Sequence, residues 1–219
     1  MLHRSEIFIA SGLILSGVSQ QILLPLWIST FQNGMSGGEY FILFFSGSIF
    51  AFGFWLSCIP LKNRIETSMF SKIWQPYLIG IGLCDALNGI AIVYNSNINR
   101  VSGPLQTILL QSNVISVVIL SKLFLKKNPT KNELLGVIIV ILGMITAMIP
   151  IWINIHNDQK QFSASEWYYP IFYVVGCFPC AVMNILMEKF QKTYHNDTKK
   201  EYPTLLLQSI VNTYQLIFL

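Results

Sequence analysis

Asp85 is the residue in this sequence with the most chemistry to account for. It stands about eleven residues into the apolar run 74–94, and no lysine or arginine lies at similar depth in the other apolar runs. If that run crosses a bilayer, an ionised carboxylate there costs several kcal/mol unless it meets water or a partner. Two arrangements meet that demand. One is a proton or cation site facing an aqueous path, and the other is a protonated carboxyl hydrogen-bonded between helices. Asn88 follows at i+3, on nearly the same helical face. Gly82, Ala86 and Gly89 lie around that side, where small residues let a neighbouring backbone come close. Helix packing accounts for the small residues, and it would turn Asp85 toward other protein rather than toward lipid.

A second polar set opens the run 101–125. Ser102-Gly103-Pro104 reads as a helix start, with Ser102 as N-cap and proline tolerated in the first turn. Gln106, Gln111, Ser112 and Asn113 follow within eight residues. Such side chains either hold helices together or line a cavity wall, and the density favours the wall. Gln106 and Asn113, seven apart, share a face, whereas Gln111 points about 140° away from Gln106 on a regular helix. Either Gln111 serves another surface or the helix is distorted near Pro104. Depth matching in antiparallel spans puts Asn113 at about the level of Asp85.

The run 167–187 contains Cys177-Phe178-Pro179-Cys180. A redox or metal role for this pair lacks the βαβ setting of thioredoxin-like proteins, and a proline kink is the simpler reading. Asn184 and Glu188 are four apart on one face; Asn184 is a further candidate for lining a solute path. Glu188 is a candidate gate or coupling residue, or else a surface carboxylate. The three histidines show no metal-ligand spacing. No metal and no cofactor is expected.

These residues need elements to hold them, and composition says which. Charged residues are 11% of the 219, against roughly a quarter in a soluble globular chain, and 53% are apolar. A net charge of +4 with no basic stripe argues against a nucleic-acid partner. Seven runs are long enough to cross a ~30 Å hydrocarbon core: 7–30, 41–60, 74–94, 101–125, 134–153, 167–187 and 202–219. None alternates with period two, so helices rather than a barrel satisfy the backbone. The expected fold class is an all-α polytopic membrane protein. The first run lacks a cleavage site and reads as a retained helix. Alternate sides of the seven runs carry twelve and two of the lysines and arginines, which places the N-terminus and the even-numbered loops in the cytosol. The loops are too short to hold a domain, so function must lie among the helices. The final residues, Tyr214 to Leu219, are still apolar, and the expectation is that the chain is a fragment or a truncated gene model.

Several segments together resemble one family. Leu83-Cys84-Asp85-Ala86 comes first, then Gly103-Pro104-Leu105-Gln106 with Gln111. Leu123-Phe124-Leu125-Lys126-Lys127 and Leu135-Gly136-Val137-Ile138-Ile139-Val140 follow. With Asn184-x-x-x-Glu188 and the Asn212…Gln215 pattern, these segments are similar to the chloroquine-resistance-transporter-like family of the drug/metabolite transporter superfamily. The match runs from about Pro76 to Gln215. The chain departs from the family's pattern at Met187, where relatives often carry a basic residue.

The resemblance implies ten helices in two inverted five-helix repeats. On that frame residues 1–155 form the first repeat, and 156–219 begin the second, truncated after about seven spans. It also implies a secondary transporter in a vacuolar or lysosomal membrane, or alternatively a plastid or other endomembrane. Such carriers move amino acids, small peptides, cationic drugs or glutathione-type thiols. Lipid, a small solute and protons are the expected partners. In this reading Asp85 is the proton or cation site, and Asn88, Gln106, Gln111 and Asn113 line the path. The alternatives are a carrier of another substrate class, such as nucleotide sugars, or a non-transporting membrane scaffold if the chain really ends at 219. An enzyme is not expected, because no nucleophile–base pair, metal cluster or phosphate loop is present.

The orientation makes one direct prediction. The sequon Asn196-Asp197-Thr198 falls in a cytosolic loop and stays unmodified. Endoglycosidase treatment of the chain expressed in a eukaryotic cell should leave its gel mobility unchanged. A shift that disappears in Asn196→Gln would reverse the topology.

Overall fold

Helices account for nearly all the residues that the computed structural model describes, which are 38–60, 67–95, 101, 103–156 and 168–219; no strand occurs among them. In chain order they are α1 (Gly38–Cys58), a short 3-10 turn (Thr67–Phe70), α2 (Gln75–Asn95), α3 (Gly103–Leu110), α4 (Ser112–Phe124), α5 (Lys131–His156), α6 (Tyr168–Thr198) and α7 (Thr204–Phe218). The apolar run 7–30 and the N-cap candidate Ser102 lie outside the described residues. Four stretches are long and apolar enough to cross a membrane: Gln75–Asn95, Leu105–Phe124, Lys131–Ile149 and Tyr168–Thr198. α7, with 15 residues, spans only about 22 Å at 1.5 Å per residue.

The local chemistry explains the boundaries. Run 101–125 holds two helices because the ladder breaks at Gln111. Its N–H donates to the Ile108 carbonyl at 3.1 Å, and Val114 N–H donates to the Gln111 carbonyl at 3.0 Å. These are tight i→i−3 bonds, of the kind that mark a local 3-10 turn. α5 starts on a capping box: Glu133 N–H donates to Thr130 Oγ1 at 3.3 Å, and Thr130 N–H donates to Glu133 Oε2 at 2.7 Å. Lys126 and Lys199 adopt left-handed φ values of 54° and 57°, and they turn the chain out of α4 and α6. α6 runs on past the apolar run 167–187 to Thr198, and carries Pro179 inside it.

α2 is the centre of the packing. It lies against α6 on one side and α7 on the other, and α1 covers α7. Two glycines permit these approaches. A Cβ on Gly82 would stand 2.5 Å from Tyr214 Cβ, and one on Gly176 would stand 2.6 Å from Ala91 Cβ. α1 is tied to α7 by Trp55 Nε1 donating to Thr213 Oγ1 at 3.0 Å, and by Cys58 Sγ and Ser209 Oγ at 3.2 Å. The largest core joins the first half of α2 to the second half of α6 and the first half of α7, around Trp74, Leu78, Ile81, Phe190, Tyr194 and Tyr202. α5 sits at the margin on α3 and α4. It exposes Leu135, Ile139 and Leu142, an apolar face suited to lipid.

The close approaches predict an asymmetry among glycines. Gly82→Ala should lower the unfolding midpoint in detergent, at a cost of roughly 1–3 kcal/mol, by forcing α7 off α2. Gly136→Ala, whose Cβ meets nothing within 4 Å, should not lower it and should raise it slightly, because alanine is the better helix former. Equal effects at the two positions would contradict this packing.

Candidate functional site

Stripes from three helices meet around one cavity of about 370 Å³. α2 contributes Asp85, Asn88 and Ile92, spaced three and four apart on one face. α7 contributes Gln208, Asn212 and Gln215 at the same spacing. α1 supplies Ser46 and the rings of Phe50 and Phe54. The register follows from the close contact at Gly82, which seats α7 so that its amide stripe faces the Asp85 side of α2. Gly89 keeps that wall open: its missing Cβ would meet Leu43 at 3.2 Å and the Gln215 side chain at 3.7 Å.

The polar groups are unequally satisfied. Gln208 Nε2 donates to Asn212 Oδ1 at 3.5 Å. Asn88 Oδ1 is buried and has no hydrogen-bond partner among the described residues. Asp85 makes no hydrogen bond or ion pair with another described residue, and no lysine or arginine lines the cavity. The cavity therefore combines one carboxylate, four primary amides, a hydroxyl and an apolar rim. Such a set can hold a passing solute by hydrogen bonds and by one acidic contact.

The other candidates gather elsewhere. Asn113 Nδ2 donates to Cys180 Sγ at 3.4 Å, and Asn184 Nδ2 approaches the same sulfur at 3.9 Å. Asp85 lies within electrostatic reach of Cys180, so this second group stands on the α6 side of Asp85. Asn113 Oδ1 is buried and without a partner among the described residues, whereas Asn184 is exposed. Ser112 Oγ faces the Cys177 thiol. Gln106 is buried and its amide donates to the Val101 carbonyl at 2.7 Å, which ties down the start of α3. Gln111 is exposed at the helix break. Neither glutamine borders the cavity. Glu188 pairs with Lys192 at 2.5 Å, one turn further along α6 and partly exposed to solvent. The four cysteines of the described residues are free thiols, and no three potential ligands gather to hold a metal among those residues.

Gln208 and Ser46 are lining residues that the sequence reading did not single out, and Asn212 and Gln215 entered it only as part of the family pattern, with no role in the path. The signal was available for α7, because three amides at i, i+4 and i+7 in an apolar helix mark one polar face. Ser46 carries no such signal: its hydroxyl donates to the Leu43 carbonyl at 3.1 Å, like many helical serines.

Toward the Gln75 end of α2 the same helices close. Trp74 packs edge-on to Phe190 and Tyr194, with ring centroids 5.8 and 5.3 Å apart, and Tyr202 lies 5.0 Å from both. Tyr202 also donates to the Met69 carbonyl at 3.3 Å. Lys72, Lys189, Lys192, Lys199 and Lys200 lie at this end. An aromatic core thus lies between Asp85 and the lysine-rich end of α2.

Comparison with known proteins places the chain in a family. The model of the CRT-like family, described as chloroquine-resistance transporter-like, matches residues 7–219. The chain is similar to Crt homolog 2 of Dictyostelium discoideum, 26% identical over 178 residues, which cover 78% of this chain and 34% of that protein. Crt homolog 1 of the same organism is 26% identical over 180 residues, with the same coverage of 78% and 34%. Crt homolog 3 is 29% identical over 105 residues, 48% of this chain and 20% of that protein. The chain thus spans about a third or less of the length of these curated relatives. No solved structure matches it.

Proposed function

The chain belongs to the chloroquine-resistance-transporter-like family, and from that premise we propose that it forms the solute-binding part of a proton-coupled secondary transporter. Its helices and its family make it a multi-pass membrane protein. The solutes proposed are small and polar or cationic: amino acids, short peptides, amine drugs or glutathione-type thiols. The membrane proposed is vacuolar or lysosomal, with the N-terminus cytosolic, and the frame is the inverted five-plus-five repeat of the superfamily.

One observation carries this reading. A carboxylate halfway along α2 borders a cavity ringed by amides, with no basic side chain among the lining residues to neutralise it. A structural carboxylate in an apolar helix would be met by a fixed partner. Asp85 instead faces a space where a proton or a solute cation supplies the balancing charge. Asn88, with an unpaired acceptor, and Gln208, Asn212 and Gln215 orient the solute. Asn113 and Asn184, through Cys180, support the far side of Asp85. Glu188, in its pair with Lys192, is proposed to report on closure at the lysine-rich end. Gln106 and Gln111 act on the path through the shape of α3 rather than by touching solute.

The direction follows from the charge bias. If the lysine-rich end is cytosolic, the aromatic core around Trp74 and Tyr202 closes the cavity to the cytosol. The site then loads from the acidic side. Alternating access would open this core and close the opposite mouth.

The test is solute uptake by proteoliposomes of the expressed gene product, driven by an imposed pH gradient. Asp85→Asn should lose at least about tenfold of the pH-driven component, while solute exchange at equal pH persists. Undiminished pH-driven uptake in Asp85→Asn would remove the proton role. No uptake by the wild-type protein under any gradient would remove the transporter reading itself.

A further inference from the structure

We propose that the hairpin between α6 and α7 is a second binding site, for a phosphoester that carries a hydroxyl or amine donor beside its phosphate. The phosphate is supplied by a lipid headgroup or by a soluble compound. The site is a cavity of about 650 Å³ that shares no lining residue with the Asp85 cavity.

The lining is rich in donors. Lys192 and His195 bring nitrogen donors, and the amides of Gln191 and Asn196 add two more. Lys192 gives one contact to Glu188 at 2.5 Å, which leaves two of the three ammonium donors. Thr204, at the other wall, is the first residue of α7. Pro203 before it provides no side-chain cap, and the first bond of that helix runs from Leu207 N–H to the Pro203 carbonyl. Glu201 also lines the space. A bare phosphate would meet that carboxylate unfavourably, so the ligand must place a donor there. This requirement selects an alcohol- or amine-bearing phosphoester over inorganic phosphate.

The floor is built on the aromatic core: Tyr202 is held by the Met69 carbonyl and by the rings of Phe190 and Tyr194. Depth matches a headgroup. Gln191 and Asn196 lie four and nine residues past Met187, where the apolar run 167–187 ends. At 1.5 Å per residue that is about 6–14 Å beyond the hydrocarbon edge, starting within the polar layer of the bilayer.

The experiment is native mass spectrometry of the purified full chain in detergent. It is exposed to short-chain phosphatidylinositol 4-phosphate, to short-chain phosphatidylcholine, or to the first lipid with glycerol 3-phosphate as competitor. A retained phosphoinositide adduct, with phosphatidylcholine not retained, supports the site. If glycerol 3-phosphate displaces the adduct, the soluble source is supported; if it does not, the lipid source is. The double variant K192Q/H195Q should weaken the adduct at least about tenfold, which is about 1.4 kcal/mol. Lys131→Gln, which removes a lysine outside the cavity, should not. Asn196→Trp, which fills the cavity without changing its charge, gives the same loss by a second route if the double variant fails to fold. Absence of any adduct, retention in Asn196→Trp, or equal loss in Lys131→Gln would overturn the proposal.

Discussion

The arrangement rests on how close two helices can come to α2. Gly82 and Gly176 bring no side chain of their own to the close contacts of α2 with α7 and α6, where they meet Tyr214 and Ala91, and a Cβ at either position would wedge the bundle apart. With both contacts made, the faces of α2 that carry Asp85 and Asn88 are enclosed by protein instead of lipid. In a bilayer that enclosure is a condition of existence, because lipid offers a carboxylate or an amide neither water nor a hydrogen bond. The cavity, the amide stripe of α7 and the closed aromatic end all follow from this seating of α2.

Two interruptions of the helical ladder fall close to each other. The break at Gln111 stands two residues before Asn113, and Pro179 stands one residue before Cys180. Asn113 and Cys180 are joined by a hydrogen bond, so the two irregular points of α3–α4 and α6 face each other. Pro179 lacks the N–H that would continue the ladder of α6. Irregular backbone at membrane depth is tolerated where it is buried in protein. Here it is covered on the α6 side by Tyr173 and Cys177 from above and by Ala181 and Ile185 from below. The wall behind Asp85 is therefore the least regular part of an otherwise regular bundle, while the wall in front is built from unbroken stripes.

Much of this was legible in the sequence, and the remainder was not for definite reasons. Six apolar runs map onto α1 to α7 because charge-free length is a direct requirement of the bilayer. Asp85 stood out because a lone acid in such a run is costly wherever it points. Gln106 and Gln111 look equivalent to Asn113 in composition, but they serve a helix start and a helix break. That difference depends on a local 3-10 turn, which hydropathy cannot signal. The α7 amides are visible as a periodic pattern, yet nothing in a single sequence says that this face meets α2 and not lipid. That information resides in the contact at Gly82, more than a hundred residues away. Glu188 read as gate or surface in the sequence, and the structure gives it Lys192 as an i, i+4 partner.

What Asp85 lacks among the described residues is a fixed partner of opposite charge. A buried carboxylate paired with a fixed arginine or lysine is neutralised for good, and breaking such a pair is strongly destabilising. Amides differ: they donate to a carboxylate and accept from a cation, but they carry no charge of their own. A site of one acid and several amides is therefore balanced only when something mobile arrives. On the proposed reading this is what separates a transport site from a structural one. The charge that completes the site must be able to leave, and the four amides around it keep the geometry while it is gone.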